Sequence, residues 1–242
     1  MKLFIVLKNK PCSIGLWLIG ILICVPAIAW CQIARSHFKV IGVVNNMPVH
    51  TIVLYQLSAN DQTMVVDSAH ADNDGHFVLS GTGSELGLYR LRLAPDQFIY
   101  LSLDSGEVVV SADWNDIKNY AVSGSESSAD LQKFVLATRG FMTNLNTMNV
   151  VFDSLTERGN DSLLAVAKKD AQDMASDFIQ RVKQYADTNP YEPNAVFAAK
   201  IISTRTEMGY LLAFNKKLAK RFPHTQMTND FGEYMNKVKV KK

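Results

Sequence analysis

Near residue 125 the hydrophobic period of this chain changes, and that change constrains the fold more than any single motif does. From Phe38 to about Ser123 apolar residues come in short alternating runs, at 38–46, 50–57, 62–70, 76–81, 88–94, 98–103, 107–112 and 119–124. Alternation of this kind presents one face of a strand to a core and the other to water. Asn45-Asn46, Asn60-Asp61, Asp72-Asn73-Asp74-Gly75, Pro95-Asp96 and Asp104-Ser105-Gly106 separate the runs, each supplying local side-chain caps or tolerance of positive φ. About eight short strands at this spacing predict an antiparallel sandwich or open barrel over 38–125. No helical pattern of crossover length lies between them, which argues against a parallel dinucleotide-binding sheet.

After Gly124 the period becomes helical. Leu131, Phe134, Val135, Thr138, Phe141, Met142, Leu145 and Met148 form one stripe, with Ser127 or Ser128 as its N-cap. Leu164, Ala167, Ala171, Met174, Phe178, Val182 and Tyr185 form a second, capped by Asn160 or Asp161 and ended by Asn189-Pro190. Pro193 suits the first turn of a third helix, with a bend expected near Ser203–Thr206 and apolar content continuing to Phe222-Pro223. A short last helix is expected over about 229–238. Residues 126–242 are therefore expected to form a helical domain of four to five helices, packed on the β domain because no flexible linker separates them.

The first 31 residues read differently. Lys2, Lys8 and Lys10 precede an uncharged stretch from Ser13 to Trp30 that ends in small residues, the layout of a secretory signal peptide over residues 1–31. Cleavage after Ala29 and cleavage after Cys31 both fit. Lipidation at Cys31 is disfavoured by the bulky Trp30, and a retained anchor by an apolar run shorter than the ~20 residues that span a bilayer comfortably. Membrane contact is thus expected only through an uncleaved signal or a lipidated Cys31. The whole chain has 242 residues, 25 basic against 23 acidic, a net charge of +2. Removing residues 1–31 takes three lysines, leaving 22 basic against 23 acidic residues and a net charge of −1. That balance gives no reason to expect nucleic acid. All three cysteines, Cys12, Cys24 and Cys31, lie in the same segment, so no disulfide, thiolate nucleophile or cysteine-based metal site can form after Gln32.

Individual residues supply no convergent chemistry. His37, His50, His70, His76 and His224 are not in paired metal-ligand spacings; His70 and His76 could meet across a hairpin, but a third ligand is missing. Asp72-x-Asp74-Gly75 lacks the remaining oxygens of a calcium loop and is read as a β-turn, with Asp74-Gly75 a hairpin signal. The glycine-rich segment 81–87 lacks the lysine ending of a phosphate loop and is expected to be a bare loop. Ser80, Ser84, Ser123 and Ser125 stand in no nucleophile-elbow pattern. Lys216, Lys217, Lys220 and Arg221, and then Lys237, Lys239, Lys241 and Lys242, read as helix-end and solubilising charges. Tyr89, Phe98, Tyr100 and Trp114 are expected mainly to cover a sheet, with a ligand groove as the alternative. The chain is accordingly expected to be no enzyme, with no catalytic, cofactor-binding or metal-binding residues assigned.

A longer pattern runs through the β domain: Phe38-x-Val40-x-Gly42-x-Val44, Ile52-Val53-Leu54-Tyr55, Asp67-Ser68, Asp74-Gly75-x-Phe77, Gly87-Leu88-Tyr89-Arg90-Leu91, Asp104-Ser105-Gly106-Glu107 and Val122-x-Gly124-Ser125. In this order it resembles the N-terminal domain of unknown function of many Bacteroidetes cell-envelope proteins, usually found upstream of a TlpA-like thioredoxin or AhpC/TSA domain. The resemblance covers about 38–125 and is architectural beyond. It implies a periplasmic or cell-envelope location. In the longer relatives, WCxxC cysteines of the thioredoxin domain carry thiol–disulfide exchange; that domain is absent from this sequence and nothing after Gln32 matches those cysteines, so the activity is not carried over. The expectation is a non-enzymatic exported envelope protein serving interaction, binding or accessory roles, with an envelope protein or small ligand as partner. The alternative is the accessory N-terminal portion of a TlpA-like thiol–disulfide oxidoreductase system.

Overall fold

Among the described residues, eight strands form two four-stranded sheets that face each other, and five α-helices follow them. The computed structural model describes residues 35–48 and 51–240. The signal-peptide reading, the three cysteines, His50, Lys241 and Lys242 lie outside the described residues. The strands are β1 (Ser36–Asn45), β2 (Thr51–Leu57), β3 (Thr63–His70), β4 (His76–Gly83), β5 (Gly87–Ala94), β6 (Gln97–Leu103), β7 (Gly106–Asp113) and β8 (Ala121–Ser123), with a short 3₁₀ helix at Trp114–Asn119. One sheet runs in the order β4-β1-β7-β8 and the other β3-β2-β5-β6, and neither closes into a barrel. The antiparallel expectation holds for every ladder except β1–β7, which is parallel.

Alternation decides which side chains meet. Val40, Val44, Leu54, Leu79, Leu91, Ile99, Leu101, Val108 and Val110 are fully buried between the sheets. Two glycines are required there by reciprocal packing. Gly42 pairs with Phe77 and Gly81 with Phe38 across the β1–β4 ladder. A Cβ on Gly42 would lie 2.0 Å from the Phe77 ring, and one on Gly81 would lie 2.3 Å from the Phe38 ring. Each aromatic thus covers the gap its partner leaves.

The turn at 72–75 corrects two expectations. It does not close a hairpin: β3 pairs with β2 and β4 with β1, so the turn is a corner between sheets. The Asp72 carboxylate accepts the N–H groups of Asp74 and His76, which holds its pKa below the usual carboxylate value. Gly75 takes φ +79° where a Cβ would strike the Val44 carbonyl. His70 and His76 consequently sit on different sheets, His70 opposite Thr51 and His76 opposite Val43.

Sheet edges are sealed by side chains. Asp67 on β3 accepts the Ser80 N–H of β4 at 2.8 Å, joining the two sheets along one side. On the other side stands α1 (Glu126–Glu157), capped by Ser125 rather than by Ser127 or Ser128. Ser127 and Ser128 instead donate to the Ser102 carbonyl on β6, and Ser128 also accepts the Ser102 N–H. One turn further on, Gln132 bonds the Val122 N–H and the Tyr120 carbonyl beside β8.

The remaining helices are α2 (Asp161–Thr188), capped by Asn160, α3 (Glu192–Ile201), α4 (Met208–Arg221) and α5 (Gln226–Val240). The expected bend near 203–206 is a full break between α3 and α4. A second core joins Leu131, Val135, Phe178, Val182, Val196, Phe214 and Phe231 to Leu88 on β5 and Ala59 after β2, so helices and sheet share apolar contacts. No helix among the described residues is long and apolar enough to cross a membrane.

Candidate functional site

Polar side chains converge first at Asp130 on α1. Its Oδ2 accepts the Tyr185 hydroxyl at 2.5 Å, the Asn189 amide at 2.7 Å and the Asn194 amide at 3.0 Å, while Asn194 also donates to the Ser127 carbonyl. Burial, followed by the bond to Asp130, raises the Tyr185 pKa, so its phenol stays protonated and donating. Phe134 stacks on Tyr185 at 4.1 Å. One carboxylate oxygen thus gathers donors from α2, α3 and the turn between them, and the cluster works as a latch for three helices.

The basic cluster at the end of α4 is a second latch. Arg221 donates to the carbonyls of Ala186, Asp187 and Asn189, the C-terminal acceptors that α2 cannot bond internally. Lys217 pairs with Asp187 at 2.9 Å. The helix-end role expected of these cations is thus played toward a neighbouring helix.

A different arrangement occurs where α3 crosses the outer face of the β3-β2-β5-β6 sheet. Strand register places Tyr55, Arg90 and Tyr100 in one row across β2, β5 and β6, and Val53, Arg92 and Phe98 in the next. With Leu54, Leu91 and Ile99 turned into the sandwich, both rows face outward. Above them lies a cavity of about 420 Å³, bounded by Leu57–Ala59 and 61–63 at the β2–β3 turn, by Leu88, Arg90 and Tyr100 on the sheet, by Val196, Phe197, Lys200 and Ile201 on α3, and by Met227 on α5. Apolar side chains from the sheet, α3 and α5 line its body, and polar ones gather at the β2–β3 turn and at Arg90, Tyr100 and Lys200, a mixture found in small-molecule sites.

The polar groups differ in how far they are already engaged. Lys200 pairs with Asp61, donates to the Ala59 carbonyl at 3.0 Å and lies 3.9 Å from the Tyr234 ring centroid. Arg90 has its guanidinium 5.4 Å from the Tyr55 ring and 5.8 Å from the Phe98 ring, but makes no hydrogen bond or ion pair among the described residues. Its Nε is shut off from solvent without an acceptor. Tyr100 packs against Phe197 at 4.7 Å and Phe98 at 5.3 Å. Burial raises its pKa against the opposing effect of Arg90 and Arg139, which leaves a neutral hydroxyl beside the cation.

Of the residues singled out from sequence, the structure brings Tyr100 to this site with Phe98 packed on it, and buries Tyr89 in the sandwich core, with Trp114 packed against that core. His37, His76 and His224 are exposed, and His70 meets Thr51 at 3.2 Å. The segment 81–87 is the end of β4, a turn and the start of β5, and its Glu85 accepts the Gln226 N–H that opens α5. Among the described residues no group of three or more metal-ligating side chains converges. Sequence reasoning passed over Arg90, Phe197 and Lys200. The available signal was the pair of arginines at alternate positions of an apolar strand, Leu88-Tyr89-Arg90-Leu91-Arg92, which places two charges on one sheet face.

Residues 38–131 match the family described as Domain of unknown function (DUF4369). The match spans the two sheets and the opening of α1, and therefore includes the sheet half of the cavity but not α3. No curated protein matches the chain.

Proposed function

We propose that this chain is a non-enzymatic, exported cell-envelope protein whose β and helical modules together form a binding site. The carrying observation is the cavity between sheet and α3, apolar on most sides and furnished with a guanidinium that has no partner among the described residues. The densest polar cluster, around Asp130, spends its donors on one carboxylate oxygen and so holds helices together, a structural rather than a chemical task. Export to the periplasm or envelope rests on the layout of residues 1–31 and on the resemblance to Bacteroidetes envelope proteins.

Native mass spectrometry of the purified protein against a panel of small organic acids, alcohols and sugars tests this reading. The expected result is a one-to-one adduct that disappears when Ile201→Trp fills the cavity. Turnover of a panel member without any retained adduct would overturn it. A second reading, an accessory module of a TlpA-like thiol–disulfide system, draws on the resemblance of residues 38–125 to modules found upstream of TlpA-like thioredoxin domains. It predicts a WCxxC protein encoded next to this one, and absence of such a neighbour across several genomes would count against it.

A further inference from the structure

We propose that the junction cavity binds a monocarboxylate with an apolar body, held by Arg90 and Tyr100 at one end and by the side chains of Leu57, Leu88, Phe197 and Met227 along its length. This rests on the reading of the cavity as a binding site and specifies what enters it.

Charge sets the first constraint. Of the two cations that line the cavity, Lys200 is already neutralised by Asp61 and further held by the Ala59 carbonyl, so it adds little net field. Arg90 remains uncompensated among the described residues, and one uncompensated positive charge matches one negative charge. Geometry sets the second. A guanidinium offers parallel N–H donors that a planar carboxylate accepts two at a time, and with Nε closed off from solvent it is the two terminal nitrogens that an end-on carboxylate reaches. Arg90 lines the cavity half-buried, and its terminal nitrogens have neither an acceptor nor a counter-charge among the described residues, which leaves both to be supplied by a ligand. The Tyr55 and Phe98 rings lie 5.4 and 5.8 Å from the guanidinium carbon and hold the cation by contacts that consume none of its N–H donors. Tyr100, neutral and adjacent in the same cross-strand row, adds a hydroxyl donor.

The remaining walls decide what the acid carries. Leu57, Leu88, Val196, Phe197, Ile201 and Met227 offer no charge, and a volume of about 420 Å³ lies in the range of small-ligand sites. Away from the polar β2–β3 turn, at Ser58, Asp61, Gln62 and Thr63, a compact polar acid would leave these apolar walls wet, whereas an acyl chain or an apolar amino-acid side chain would cover them. Both sources share the carboxylate-plus-apolar chemistry.

Isothermal titration of the purified protein separates the possibilities, with octanoate, octan-1-ol, octyltrimethylammonium and N-acetyl-leucine as probes. Octanoate is expected to bind, octan-1-ol about 10- to 100-fold more weakly, and the cation not measurably. Arg90→Leu should weaken octanoate by about the same factor and leave octan-1-ol unchanged, with Arg90→Lys in between because charge survives but the fork does not. Comparison of the probes on the unaltered protein keeps the test valid should a variant fail to fold. Tighter binding of octanoate than of N-acetyl-leucine assigns an acyl ligand, the reverse assigns a peptide carboxyl terminus, and either ranking supports the carboxylate. Equal binding of octanoate and octan-1-ol, or indifference to Arg90→Leu, would overturn the proposal while leaving an apolar binding site in place. Absence of binding by every probe, with Ile201→Trp also without effect on the native spectrum, would overturn both.

Discussion

The junction cavity and the groove along α1 and α2 are both concave and largely apolar, yet they differ in what their polar groups have left to do. The α1–α2 groove is the larger, about 600 Å³, and is walled by Phe134, Phe141, Met174, Phe178 and Tyr185. Phe141 and Phe178 stack at 3.8 Å, so its aromatic surface is already paired, and Asp130 Oδ2 at its root already accepts from three donors. The junction cavity is smaller, about 420 Å³, and keeps a guanidinium nitrogen without an acceptor. Size alone would select the groove. Charge selects the junction, because Arg90 is unpaired and half-buried in its wall whereas the groove's own cations, Lys133 and Arg181, are exposed to water.

The two regions also differ in support. The junction sits on a sheet whose inward residues Leu54, Leu91, Ile99 and Leu101 are inaccessible to solvent. The α1–α2 pair extends far beyond its base, since the 32 residues of α1 span about 48 Å. Its buried apolar residues, Leu131, Val135, Phe178 and Val182, all lie near that base, while farther out Val150 is 69% and Val166 55% exposed. A binding site needs walls held in place, and the sheet supplies them where the distal arm does not.

The largest expected effect sharpens this contrast in stability. Leu101→Ala, beneath the junction sheet, should cost about 2–5 kcal/mol in urea unfolding, as a cavity in a closed core does. The same change at half-buried Leu145 on the arm should cost well under half of that. Equal losses at the two positions would break the comparison.

Next in size is Asp130→Ala at the root of the arm. It would leave the Tyr185 hydroxyl and the Asn189 and Asn194 amides without their shared acceptor, at about 1–3 kcal/mol. Hydrogen exchange should then rise along α2 and spare β5 and β6. Uniform acceleration over both modules would show that the latch supports the whole protein instead of the arm.

A smaller effect concerns Glu192, buried at the start of α3 and accepting the Thr225 and Thr228 hydroxyls. Burial raises its carboxyl pKa from the usual 4.5 despite those two donors. A raised folded pKa favours the protonated form, so this group's contribution to stability is full below the unfolded value and is lost as pH rises through the folded one. Glu192→Gln, which can still accept both hydroxyls, should match the parent at pH 3.5 and exceed it at pH 7 in melting temperature. A variant less stable than the parent at pH 7 alone would contradict the sign. The smallest effect is expected at the arm's surface, where Val150→Ser should change stability by no more than about 0.5 kcal/mol.

Much of the architecture could be read from periodicity. All eight strand runs and the change to helix at residue 126 follow from local alternation and turn residues, which act over a few positions. Pairing was less legible because it is non-local. Nothing local indicates that β1 runs parallel to β7, or that the Asp74-Gly75 turn carries the chain from one sheet to the other. Several motif residues carry an architectural explanation that emerges only with partners in view: Gly42 answers Phe77, Asp67 holds Ser80, and Ser125 caps α1. The candidate site was the least legible part. Phe98 and Tyr100 could be taken for sheet cover, and Arg90 acquires its meaning only when register sets it between Tyr55 and Tyr100 and α3 closes over it.

Hydrogen–deuterium exchange of the full protein with and without saturating octanoate tests the central claim that the working site lies at the junction of the two modules. Protection is expected at residues 57–63 in the β2–β3 turn, at 88–100 on the sheet and at 196–201 on α3, with residues 141–175 of the arm unchanged. Protection confined to the arm, with those three segments unaffected, would place binding in the α1–α2 groove and contradict it.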